Sequence, residues 1–144
     1  MRSGDPVIHV NRLPLGAGLA VEDVRRAVRA AAAAERLEGG EISVTFLDAE
    51  AIATLNAAHL HRDRPTDVLT FDLGDPGAPL GDIYICPAVA AEAAAERGIG
   101  LKEELLRLAI HGVLHLAGHD HPEGRGRERS EMFRRQEAIL GQLL

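Results

Sequence analysis

Four histidines, His111, His115, His119 and His121, fall within eleven positions of a chain that has seven in all. His111 and His115 are four residues apart, so on a helix their Cβ atoms lie on one face about 5–6 Å from each other. Two imidazoles placed in that way converge on one metal ion at a Zn–N distance of about 2.0–2.1 Å. Gly118 breaks the helix behind them. The returning segment then brings up His121, backed by Pro122, as a third donor, with His119 as the rival for that role. Three imidazoles without a fourth protein ligand leave an open position, which marks a catalytic zinc site, where the ion lowers the pKa of its water to about 7. Nickel, cobalt and copper suit the same donors. Asp120 is placed to orient a ligand imidazole, or to serve as an ordinary helix-end carboxylate.

The ligand spacing H-x3-H-x5-H, with glycine three after the second histidine, is also that of the metzincin peptidases, in which a glutamate general base follows the first histidine. Gly112 occupies that position here. A glycine takes no proton, so peptide hydrolysis by that route lacks its base unless Glu104 or another carboxylate reaches the water. Metallopeptidase is therefore the weaker expectation. A glycine inside a helix costs about 1 kcal/mol relative to alanine, which points to close backbone approach or to clearance over a metal. Glu104, Arg107, His111 and His115 follow at intervals of three, four and four. They form one polar stripe on an otherwise apolar rod, and a buried polar stripe demands partners.

The elements that must position these residues are legible as periods and punctuation. Residues Pro6–Arg12 read as a first strand, and Leu19–Leu37, with Val21, Val24, Val28 and Ala32 at steps of three and four, as an amphipathic helix stopped by Gly39 and Gly40. Ile42, Val44 and Phe46 alternate as a strand, after which Asp48 caps a helix through Ala58. Asp67–Asp72 and Leu80–Ile85 have strand composition and are separated by a Gly74 to Pro79 turn, which predicts neighbouring strands. Pro87 suits the first turn of a helix to about Arg97. Leu101–Ala117 is the most apolar helix and is expected at the centre, ended by Gly118 in a left-handed conformation. A last helix runs from about Arg127 to Leu143. Thr66 and Asp67 are placed to line a cleft but read more readily as turn chemistry and the start of a strand, and Asp82, with the same alternative, reads as structural. Cys86, before the proline-led helix, reads as a packing residue.

Length and composition bound the rest. A chain of 144 residues with 46% hydrophobic and 26% charged residues fits one globular domain spanning residues 1–144 and excludes disordered, collagen-like and coiled-coil classes. A single cysteine makes neither an intramolecular disulfide nor a cysteine-rich metal site, so a reducing, cytoplasmic compartment is expected. The N-terminus lacks the apolar core of a signal peptide, and no stretch approaches the roughly 18 apolar residues of a membrane span. A net charge of −6 argues against indiscriminate binding to polyanions, so any nucleic-acid site must be local. With three phenylalanines, one tyrosine and no tryptophan, the core must be aliphatic, and a base-stacking platform for single strands is not expected.

His111-Gly-Val-Leu-His-Leu-Ala-Gly-His-Asp-His121 resembles the H-G-x-L-H-L-x-G-Y-D-H signature of the YbeY family, with His119 in place of the usual tyrosine. Pro65-Thr-Asp-Val-Leu-Thr-Phe71 resembles the family's P-T-D-V-L-S-F segment, Leu80-Gly-Asp-Ile83 its L-G-D-I strand, and Met132 to Leu140 its closing helix. The resemblance runs from about Ile42 to the end of the chain. It implies an α+β fold, a single compact domain with a mixed, mainly four-stranded sheet packed by helices, and one metal ion, usually zinc, on His111, His115 and His121 at the end of the central helix. It also implies a single-strand-specific endoribonuclease that matures small-subunit rRNA and monitors ribosomes. The implied partners are rRNA, the pre-ribosomal small subunit, a ribosomal protein and an Era-type GTPase, with no membrane and no DNA. The alternative from another class is a non-catalytic, metal-stabilised ribosome assembly factor. One departure matters: Leu60 stands where the family commonly carries an arginine that contacts RNA phosphate. Arg62 and Arg64 are the candidates to replace it, with conditional charge from His59 and His61; a solvated loop is the other reading. Arg125, Arg127 and Arg129 are offset by Glu123, Glu128 and Glu131, and Glu131 with Arg135 has the spacing of an ordinary i,i+4 pair.

Overall fold

The computed structural model describes residues 4–60, 66–74, 79–118 and 126–144, with backbone alone for Leu60 and residues 126–130. Among these, the chain forms β1 (Val7–Asn11), α1 (Val21–Ala34), β2 (Glu41–Phe46), α2 (Ala49–Leu60), β3 (Val68–Asp72), β4 (Leu80–Ile85), α3 (Pro87–Arg97), α4 (Leu101–Leu116) and α5 (Gly126–Leu143). The four strands make one mixed sheet in the order β1-β2-β4-β3. β1, β2 and β4 run parallel, with Ile42 opposite Ile8 and Gly81, while β3 returns antiparallel along β4 with Thr70 opposite Ile83. The expected neighbourhood of the last two strands is thus observed as an antiparallel pair.

Alternation decides the two faces of the sheet. Ile42, Val44 and Phe46 of β2 and Ile83 and Ile85 of β4 point to one face, where they pack with Val24, Val28, Leu105, Ile110 and Val113 in an aliphatic core. α1 and α4 cover this face, and α5 lies against both helices. On the other face Ile52 of α2 packs with Leu69 and Cys86. Cys86 is fully buried, as expected of a packing residue. Towards β1 the second face is polar, with His9 bonded to Glu41 at 3.0 Å and Asn11 to Thr45 at 3.3 Å.

Helix ends follow local chemistry. The Asp48 carboxylate accepts from the N–H of Ala51 at 2.7 Å and starts α2 as expected. α3 starts at Pro87 and closes with Gly98 at φ 70°. α1 ends earlier than the Leu37 boundary expected from the glycine pair. Arg36 turns left-handed at φ 57°, and the N–H groups of Arg36 and Leu37 bond the carbonyls of Ala33 and Ala32. Those two bonds close the helix before Gly39 is reached and bury Leu37 against it. The expected pair of Glu131 and Arg135 is replaced by a longer link, because Arg135 reaches Glu35 beside the end of α1 at 2.9 Å. Among the described residues no helix is long and apolar enough to cross a membrane.

Candidate active site

α4 is the central helix, and its polar stripe has the partners it requires. Arg107, with its side chain only 12% exposed, donates to Glu137 of α5 through Nε at 2.8 Å and Nη2 at 3.0 Å. It also donates to Glu104 at 2.8 Å and Glu103 at 3.1 Å. Three carboxylates hold the guanidinium charged far above its ordinary range, with the hydrogen bonds to Glu137 as the largest cause. Conversely, Arg107 lowers the pKa of Glu137. Glu104 is buried and also receives Arg97 at 3.2 Å. Held by two guanidiniums, Glu104 is engaged in the α4 network, which weighs against its service as a peptidase base.

Two turns further along α4, His111 and His115 come together as the four-residue spacing predicts. Their Nε2 atoms face each other at 3.0 Å and the rings meet edge to face. That separation is close to the roughly 3.3 Å that two donors span in a tetrahedral site with bonds of about 2.0–2.1 Å. On the far side of its ring, Nδ1 of His111 lies 2.8 Å from Oε1 of Gln136. The pair therefore fits a metal ion bound through both Nε2 atoms, with His111 steadied from behind. Among the described residues no group of three His, Cys, Asp or Glu side chains is placed to hold a metal. The expected third donor His121, its rival His119 and Asp120 lie outside the described residues, as do His61, Arg62 and Arg64.

Gly112, next to His111, turns toward the sheet. A Cβ there would meet carbon atoms of Ile83 at 2.7–2.9 Å. Close packing of α4 on β4 explains the glycine, and the position that carries a base in the metzincin pattern faces the core. Gly81 of β4 lies under the same helix, where a Cβ would come within 2.5 Å of Leu116.

A cleft of about 220 Å³ opens beside His111, walled by Arg107 and Gln136, by Asp67 at the start of β3, and by Phe133 of α5. Phe133 is 56% exposed. Asp67 thus lines the cleft, the less favoured of the two readings of its sequence context; its carbonyl also accepts from Cys86 N–H at 2.9 Å. Arg97 stands in the same wall with a side chain 57% exposed, against 12% for Arg107. Sequence reasoning missed Gln136, Arg97 and Phe133 as site residues, because each comes from another helix at no diagnostic spacing. Asp82 lies beside Tyr84 on β4 and raises the tyrosine pKa, after burial as the larger cause.

A mixed four-stranded sheet of this order packed by five helices, with a helix-borne imidazole pair beside a cleft, defines a compact α+β domain. A family model described as Endoribonuclease YbeY matches residues 18–144. The chain is 43% identical over 133 residues to Endoribonuclease YbeY of Geobacillus thermodenitrificans, covering 83% of this chain and 84% of that protein. It is also 43% identical over 140 residues to Endoribonuclease YbeY of Moorella thermoacetica, covering 88% of each. The solution structure of TM1509 from Thermotoga maritima superimposes with a TM-score of 0.69 at 33% identity, covering 95% of this chain and 89% of that one. The chain belongs to the YbeY endoribonuclease family.

Proposed function

We propose that this protein is a metal-dependent, single-strand-specific endoribonuclease that acts in the cytoplasm on small-subunit rRNA precursors and in ribosome quality control. The observation that carries the reading is the facing pair of Nε2 atoms of His111 and His115 beside an open cleft, in a chain whose relatives are named endoribonuclease. His111 and His115 would hold the ion, with His121 as third donor, and zinc is the expected metal. When bound, such an ion supplies Lewis-acid polarisation of a phosphodiester and a more acidic water. The chain's own residues do the positioning. Arg97 presents an exposed guanidinium to a phosphate at the cleft wall, Phe133 offers a ring face to an unstacked base, and Gln136 orients His111. Arg62 and Arg64 are proposed as further phosphate contacts. The partners proposed are the pre-ribosomal small subunit, a ribosomal protein and an Era-type GTPase.

One observation favours the second reading, a non-catalytic assembly factor. Arg107 is committed to carboxylates, so much of the positive charge described at the cleft is already neutralised. Incubating a small-subunit rRNA precursor with the intact protein, its EDTA-treated form and His115→Ala, then mapping cut ends, separates the two. Cleavage by the intact protein alone supports the nuclease; a bound metal with no cleavage by any form supports the assembly factor.

A further inference from the structure

We infer that Gln136 is a positioning residue of the metal centre: it fixes which nitrogen of His111 carries the proton and thereby leaves Nε2 to bind the ion. The inference rests on the reading of His111 and His115 as metal donors. Oε1 of Gln136 is 2.8 Å from Nδ1 of His111. An amide oxygen only accepts, so Nδ1 must carry a hydrogen, and the lone pair of the neutral ring stays on Nε2. That lone pair is directed at His115 Nε2, 3.0 Å away.

The amide cannot turn over without cost. Its Nε2 donates to Oε2 of Glu137 at 3.1 Å, and an ionised carboxylate only accepts. A flipped amide would set oxygen against oxygen at Glu137 and N–H against N–H at His111. Glu137 is itself clamped by two bonds from Arg107, which Glu104 and Glu103 hold in turn. Gln136 is 6% exposed, so water does not compete freely for its amide. Every link from the carboxylates of α4 through Arg107, Glu137 and Gln136 to His111 has a single sense of donation. The salt-bridge cluster two turns from the histidines thus orients the proton on a metal donor. Gln136 stands where a carboxylate commonly backs a ligating histidine, and as a neutral acceptor it adds no further negative charge to a wall that already holds Asp67 and Glu104.

The test uses the full chain and the variants Gln136→Leu, which removes the acceptor, and Gln136→Glu, which keeps one. Cobalt affinity is measured by competition with a chromophoric chelator, and the His111 tautomer by nitrogen NMR of chelator-treated protein at alkaline pH. Gln136→Leu is expected to bind cobalt about 10–100-fold more weakly and to lose the preference for a proton on Nδ1, while Gln136→Glu retains both within a few-fold. A folded Gln136→Leu protein with unchanged affinity overturns the inference. So does a wild-type His111 with its proton on Nε2, a result that does not depend on whether the leucine variant folds. Failure of the wild type to bind cobalt at all overturns instead the metal reading on which the inference rests.

Discussion

Gly112 shows two small energies in opposition. Replacing it by alanine would gain about 1 kcal/mol of helix propensity, yet the new Cβ would press on Cγ2, Cδ1 and Cγ1 of Ile83 within 2.9 Å. Ile83 has no exposed surface and nowhere to turn, and overpacking a filled core costs about 1–3 kcal/mol. Gly112→Ala is therefore expected to destabilise by about 1 kcal/mol in urea denaturation, with part of the loss recovered by adding Ile83→Val. A variant as stable as the wild type would show that the helix and sheet spread easily at this contact. At this scale the legible residues were those whose partners lie a fixed step away on one helix: His111 with His115, and Glu104 with Arg107. Asp48 at its cap was legible for the same reason. Gln136 meets His111 across 25 residues of sequence, and no local period encodes such a meeting.

Among the elements, two helices end in the same way with different residues. Gly98 after α3 and Arg36 after α1 both stand left-handed, at φ 70° and 57°. Each terminus is closed by a matching pair of backbone bonds: Gly98 and Ile99 to Ala95 and Ala94, and Arg36 and Leu37 to Ala33 and Ala32. A left-handed non-glycine residue costs roughly 1–2 kcal/mol, partly offset by the extra chain entropy that glycine loses on folding. Arg36→Gly is expected to raise stability by roughly 0.5–1 kcal/mol, and Gly98→Arg to lower it by a similar amount, in matched urea titrations. Opposite signs would show that side-chain contacts of Arg36 outweigh its backbone strain. The existence and type of every element were readable from period and punctuation. The end of α1 was misplaced because Gly39 and Gly40 look like stronger stops than the closure that precedes them. Beyond the β3–β4 neighbourhood, which the short turn between them signalled, strand order was hidden, since alternation says which residues share a face and nothing about which strand lies beside which.

For the whole molecule, helices are tied to one another by charge. Lys102 reaches Asp23 at 3.4 Å between α4 and α1, Arg135 reaches Glu35, and Arg107 joins α4 to Glu137 of α5. The Glu137 pKa is lowered from its ordinary value of 4.5, chiefly by its hydrogen bonds from Arg107. A lowered folded-state pKa contributes stability that is complete above the ordinary value and is lost as pH falls through the folded value. Urea midpoints of the wild type should therefore decline below about pH 4.5, and the gap between wild type and Glu137→Gln, open at neutral pH, should close in acid. A gap that stays constant with pH would assign the clamp to packing rather than charge. Asp23 adds to the acid limb in the same direction, its pKa lowered first by the N–H of Ala20 and then by Lys102.

The chain has one tyrosine and no tryptophan, and that tyrosine, Tyr84, sits against Phe71, whose ring in turn meets His59 near the end of α2. These rings pack on the α2 face of the sheet, whereas His111 and the cleft lie with α4 on the opposite face. The molecule's near-ultraviolet emission thus arises from one chromophore that looks away from the site. A ligand settling in the cleft is optically silent by this signal unless its effect passes through the sheet, and a change in tyrosine emission reports the docking of α2.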